Sequence, residues 1–193
     1  VRYLKRIIRK ATKPIRNNIK GFVGESAVAK KLSGFRYSVH DLLFNDGIKS
    51  VQIDHIVITR SGIHVIETKN YGGKIYGKPD SKTWYQYVGT KKSEFMNPVR
   101  QNQGHIWALQ RVLGNRNDDL FHSYVVFTDK ATIATELPIV ALSEIKGKIE
   151  ERSPFLSEDQ VEGLYKKIMT IKKNNTITKR QHIKSVQKRM KNV

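Results

Sequence analysis

Residues 52–69 read QIDHIVITRSGIHVIETK. Two apolar runs meet at Arg60-Ser61-Gly62, and both carry the residue types of half-buried strands. The first, residues 51–59, is rich in Ile and Val. The second, residues 63–69, alternates apolar and polar side chains, so the stretch predicts a β-hairpin. Each run holds an acid where a buried strand would be apolar, Asp54 in one and Glu67 in the other, and Lys69 follows Glu67 by two. With Arg60 and Ser61 at the tip, Asp54 lies opposite Glu67 and Gln52 opposite Lys69. With Ser61 and Gly62 at the tip, the register moves by one pair and the acids become diagonal neighbours. In either register Asp54, Glu67 and Lys69 share a face, because strand side chains alternate with period two. Cross-strand neighbours stand roughly 5 Å apart, and like charges at that distance destabilise a sheet. A cation between the acids offsets the repulsion, and hard carboxylate oxygens suit Mg²⁺ or Mn²⁺. A lysine on the same face orients water or holds a phosphate as a point charge. Either acid alone would read as a solvated residue near a strand end. The pair, with Glu-x-Lys, weighs against that, although D-x12-E-x-K is by itself only moderately specific.

Working outward, residues 21–32 (GFVGESAVAKKL) predict a helix with Phe22, Val28 and Leu32 on its buried face and Glu25 in its first turns. Residues 37–44 predict a strand, closed by the turn signal Asn45-Asp46-Gly47. Residues 70–77 (NYGGKIYG) are glycine-rich and lack the spacing of a phosphate loop. Residues 84–88 (WYQYV) predict an aromatic strand beside Lys74, Lys78, Lys82, Lys91 and Lys92. Such residues stack on unpaired nucleotides, but more often they cover the edge of a core. Asn97-Pro98 opens a predicted helix over 99–113, with Gln101 and His105 one turn apart on one face. Strands at 121–128 and 139–142 and helices at 143–152, 157–171 and 179–191 complete the reading. His55 turns to the sheet face opposite Asp54 and reads as structural.

Net charge is +19, and its placement is informative. Of 36 Lys and Arg, eight fall in residues 1–20 and ten in residues 163–193, with no acid in either segment. The eighteen bases that remain face all 17 acids, so the middle is nearly neutral and the ends attract polyanions. Residues 1–20 predict a basic amphipathic helix that fits an anionic lipid surface, a phosphate backbone or the protein's own core. Cysteine is absent, which excludes disulfides and thiolate metal sites and fits a cytoplasmic protein. No run of apolar residues is long enough to span a bilayer. The chain opens on Val1 rather than Met, which leaves room upstream for a signal or membrane anchor.

An ordered set of residues resembles the nuclease-related domain (NERD) family, a branch of the PD-(D/E)xK nuclease superfamily. The set is Gly24-Glu25, Gln52-Ile53-Asp54-His55, Gly62, Val65-Ile66-Glu67-Thr68-Lys69-Asn70, Gly73, Trp84, Asn97-Pro98 and Gln101, within about residues 21–113. Ile53 stands where the superfamily name has Pro, as it does in sequences of this family. The resemblance implies a metal-dependent nuclease core: an α/β fold with a mixed central sheet of about five strands flanked by helices. It implies Asp54, Glu67 and the Thr68 carbonyl as metal ligands, with Lys69 positioning water. Glu25 becomes a further active-site carboxylate, and Gln101 supports the metal, substrate or water.

The expected protein is therefore a Mg²⁺- or Mn²⁺-dependent nuclease acting on nucleic acid, DNA rather than RNA. Arg100, Lys74 and Lys78 are its expected phosphate contacts. Its expected organisation is a basic helix over 1–20, a core over 21–142 and a helical basic extension over 143–193. The rival expectations are a silent nucleic-acid-binding module on the same fold, and a membrane-surface protein held by residues 1–20.

Overall fold

The hairpin forms with Arg60 and Ser61 at its tip. Thr59 pairs with Gly62 and His55 with Ile66, which selects the register that puts Asp54 opposite Glu67. Gly62 has φ 121°, and a Cβ there would lie 2.5 Å from the Leu120 carbonyl oxygen, so the turn requires glycine. The computed structural model describes residues 21–128, 130–134 and 137–191. The helix expected over residues 1–20 lies outside them.

In chain order, α1 (residues 21–32) leads to β1 (Ser38–Asn45), β2 (Ser50–Thr59), β3 (Gly62–Lys69), β4 (Gly73–Tyr76), β5 (Thr83–Val88) and β6 (Lys91–Met96). Then come α2 (Pro98–Leu113), β7 (Phe121–Phe127), β8 (Ala131–Ile133), β9 (Val140–Ala141), α3 (Ile145–Glu150), α4 (Glu158–Lys173) and α5 (Lys179–Lys191). A five-stranded mixed sheet runs β1-β2-β3-β7-β9. The first three strands are antiparallel, while β7 lies parallel to β3 and β9 parallel to β7. A parallel return needs a crossover, and α2 lies on the connection from β3 to β7. The α/β fold with a five-stranded mixed sheet and helices on both faces is as expected.

One face of the sheet packs Ile53, Ile56, Ile63 and Val65 against Ile106 and Leu109 of α2 and Val161 and Ile168 of α4. The other packs Val57, Ile66 and Val126 against Val28 and Leu32 of α1 and Ile145 and Ile149 of α3. Phe22 departs from expectation: it is 70% exposed, because Val28 and Leu32 already fill the inward stripe of α1. At the start of α2 the Asn97 side chain accepts from the Val99 and Arg100 N–H groups, the cap its position predicts. Asn102, fully buried, donates from Nδ2 to the Val65 carbonyl at 2.8 Å and the Tyr124 carbonyl at 3.1 Å, fastening α2 across β3 and β7.

The structure adds a second, four-stranded sheet, β6-β5-β4-β8. The predicted aromatic strand belongs to it, and β4 lies inside the glycine-rich stretch. Its inner side presents Ile75 and Trp84, both fully buried, to Val125 and Phe127 of the main sheet. Trp84 stacks on Phe127 with ring centroids 6.4 Å apart.

Candidate active site

Strand alternation breaks at the acids. Ile53 and Ile56 are three apart yet pack in the same cluster, as do Val39 and Leu42 on β1. Both strands therefore change face between these positions. Asp41, placed across from Asp54 by the flanking pairs His40–His55 and Leu42–Ile53, takes φ 53°, a left-handed conformation that Asp tolerates better than most residues. The β2–β3 ladder also stops at His55–Ile66. One step further, the Thr68 N–H donates to the Asp54 carboxylate at 2.8 Å instead of to strand backbone. The Lys69 carbonyl accepts from Thr128 on the β7 side. Backbone groups of successive strand residues point to alternate sides, so the Thr68 carbonyl opens toward Asp54.

Glu67 is 2% exposed and is met by two basic side chains. Lys69 Nζ donates to its Oε1 at 2.5 Å and to Gln101 Oε1 at 3.0 Å. His105 Nδ1 lies 3.4 Å from Glu67 Oε2, without hydrogen-bond geometry, and both atoms lack a hydrogen-bond partner among the described residues. Gln101 and His105 come from one face of α2, as their spacing predicts.

Burial pushes the Asp54 carboxyl well above its ordinary pKa; the Glu67 charge adds to the rise, and the Thr68 N–H opposes it. For Lys69, burial works against the charged form, but the charge and hydrogen bond of Glu67 outweigh it and its pKa is raised. Burial lowers His105, against the pull of Glu67. Glu25 is half-buried, with its pKa raised by burial and further by Asp41 and Glu67, while Lys179 and Lys69 oppose the shift. Those charges place Glu25 in the field of the same cluster.

What puts Glu25 there is its neighbour. An added Cβ at Gly24 would lie 2.6 Å from Asn70 Cβ, so α1 sits on the residue that follows Lys69. Asn70 is fixed in turn by the Thr128 hydroxyl at 2.7 Å. Gly24→Ala should therefore lose about 1–3 kcal/mol in urea denaturation through overpacking, although alanine favours a helix. A variant as stable as the wild type would mean that α1 does not rest on Asn70.

The structure thus brings together Asp54, Glu67, Thr68, Lys69 and Gln101, with Glu25 facing them. Of the expected phosphate contacts, Lys74 is on β4, Lys78 is on the loop after it, and Arg100 donates to the Asp80 carbonyl at 3.1 Å. Sequence reasoning gave no role to Asp41, His105 or Lys179. Lys179 Nζ lies 2.5 Å from Asp41 Oδ2, and Gln52 Nε2 donates to Asp41 Oδ1 at 2.8 Å. The turn at 45–47 carried the signal for Asp41, since closing that hairpin fixes its row. His55 pairs with His40, Nδ1 to Nδ1 at 2.9 Å, and burial pushes its pKa down to about 3.

The donors offered to a metal are carboxylate and backbone oxygens. Among the described residues no three His, Cys, Asp or Glu side chains are arranged to hold an ion. A site here would combine two carboxylates with the Thr68 carbonyl, and the unpartnered Glu67 Oε2 is an observed oxygen for it. In comparison with known proteins, the model of the nuclease-related domain family matches residues 20–128. An uncharacterized protein of Bacillus anthracis is 30% identical over 175 residues, covering 86% of this chain and 82% of that one. No solved structure matches the chain.

Proposed function

This chain belongs to the nuclease-related domain family, and on that premise we propose that it hydrolyses phosphodiester bonds of nucleic acid, DNA rather than RNA, with Mg²⁺ or Mn²⁺. The observation that carries the reading is the meeting of Asp54, Glu67 and Lys69 where β2 parts from β3, with a buried Glu67 oxygen left over. Such an oxygen is costly unless a cation or a donor meets it. Asp54, Glu67 and the Thr68 carbonyl would hold the ion. When bound, it supplies a lowered water pKa and offsets charge building on the phosphate.

The protein's own groups have distinct parts. The raised pKa of Lys69 keeps it an ammonium at neutral pH, so it serves as a donor and a positive charge and does not take a proton from water. Gln101 holds Lys69 from α2 and, with Glu67, fixes where its one remaining proton points. Glu25, with its raised pKa, is suited to accept the proton that water releases. The basic ends concentrate substrate by salt-sensitive phosphate attraction. A cytoplasmic setting fits this reading, and among the described residues no helix is long and apolar enough to cross a membrane.

The purified chain should cut DNA in Mg²⁺ or Mn²⁺ and leave it intact in EDTA, and Glu67→Gln should remove the cutting. Equal cleavage by wild type and variant would assign the activity to a contaminant or to another site. One observation favours a second reading, a nucleic-acid anchor without turnover: Lys69 already neutralises Glu67. DNA binding without cleavage in any divalent metal would select that reading.

A further inference from the structure

The second sheet has a side that the core does not use. Strand pairing sets Tyr87 between Lys74 and Lys92, and Tyr85 between Tyr76 and Glu94. Directly opposed residues share a face, so these six side chains form one surface, turned away from buried Ile75 and Trp84. The three tyrosines are half-exposed, and the two lysines and Glu94 are exposed. With Gly73 and Gly89 the tyrosines and lysines line an open depression of about 670 Å³. Tyr76 and Tyr87 meet edge to face at 5.3 Å, and the Lys92 ammonium stands 3.9 Å over the Tyr85 ring.

Aromatic residues at a core edge bury something beneath them. Here that work is done by Trp84, Ile75 and Phe95 on the inner side. Flat rings beside ammonium groups are the composition that holds unpaired nucleotides, the rings stacking on bases and the lysines reaching phosphates. A duplex keeps its bases stacked inside and offers these rings nothing. Two lysines outweigh the one acid of the face, Glu94, so the surface favours a polyanion.

Position adds to composition. Three residues separate Lys69 from Gly73, four steps of chain with a reach of at most about 14 Å. Gln86 Nε2 donates to the Gly72 carbonyl at 2.7 Å, and the Gly73 N–H donates to the Lys130 carbonyl at 3.0 Å, so the second sheet is tied to the end of β3. The end of the tyrosine face at Gly73 is therefore joined to the end of β3 that carries Glu67 and Lys69. We propose that the outer face of β4, β5 and β6 holds an unpaired DNA strand, which makes single-stranded or flapped DNA the substrate of the site. The cutting half of this statement rests on the nuclease reading, while the binding half stands without it.

The test is fluorescence anisotropy of the full chain in EDTA at fixed salt. A labelled single-stranded oligodeoxythymidylate is compared with a duplex of the same length. The single strand should bind more tightly and quench tyrosine emission. Tyr87→Ala and Tyr76→Ala should each weaken that binding about 5- to 150-fold, with little change for the duplex. Tyr87→Phe, which keeps the ring, should retain it. Thermal melting by circular dichroism checks that the variants fold, and the Phe variant keeps the comparison readable if an Ala variant does not. Equal affinity for both probes, or Ala variants that bind as the wild type does, would overturn the proposal. Because binding is read without metal, a protein that never cuts DNA would defeat the nuclease reading while this comparison is still decided.

Discussion

Asp54→Asn is expected to remove metal-dependent cleavage, by about a thousandfold or more, and at the same time to make the metal-free protein more stable. The loss follows from the proposed mechanism, in which Asp54 would be one of two carboxylates holding the ion, and transition-state charge stabilisation is felt on that scale. The gain follows from the environment. Asp54 is desolvated and faces Glu67, and both raise the cost of its charge. Asparagine drops that charge and keeps an oxygen for the Thr68 N–H. The gain should appear as a higher Tm for the variant than for the wild type in EDTA. An acid with a raised folded-state pKa costs nothing below its unfolded value, here 3.8. The cost grows as pH rises toward the folded-state pKa and is constant above it. The advantage of the variant should accordingly appear only above about pH 4. Adding Mg²⁺ should reverse the order, since only the wild type gains from binding. Retained cleavage, or a variant less stable than wild type in EDTA, would remove Asp54 from the site.

Lys69→Met should have the largest effect on folding. It strips the ammonium from a carboxylate that is 2% exposed, and an uncompensated buried charge costs about 3–5 kcal/mol. Urea denaturation should recover most of that loss in the double variant Glu67→Gln/Lys69→Met, whereas cleavage should stay absent in both. His105 offers a second readout: burial first, and Lys69 in part, hold its pKa down. Without the lysine it should titrate at higher pH by NMR. Full stability in the single variant would mean that Lys69 and Glu67 are not a pair in solution.

Much of this site could be read from residues 52–69. Residues 60–62 left two registers open, and period two put Asp54 and Glu67 on one face in either; the pairing of Thr59 with Gly62 chose between them. The Asn97 cap likewise announced α2, and helical spacing put Gln101 and His105 on one of its faces. What stayed hidden had physical reasons. β6, KKSEFM, shows almost no buried residue, so no apolar alternation marks it. β4 is four residues long and begins at a glycine whose Cβ would run into the Tyr87 carbonyl. Glycine there reads as a loop, although it is the close approach of β5 that demands it. The half-turn of β1 and β2 at Asp41 and Asp54 breaks the alternation on which strand reading depends. The turn at 45–47 could place Asp41 in its row but not show that its strand changes face there.

The tip of the hairpin, far from its acids, is gripped from outside. Arg60 accepts from the N–H groups of Phe155 and Leu156 and returns a hydrogen bond to the Leu156 carbonyl. Val161 and Ile168 of α4 fill the core under the same strands. The stretch matched to the family ends at residue 128, so a fragment trimmed to that length would be a pair of tweezers with the handle sawn off. The part that carries the kinship is held in shape partly by residues outside it.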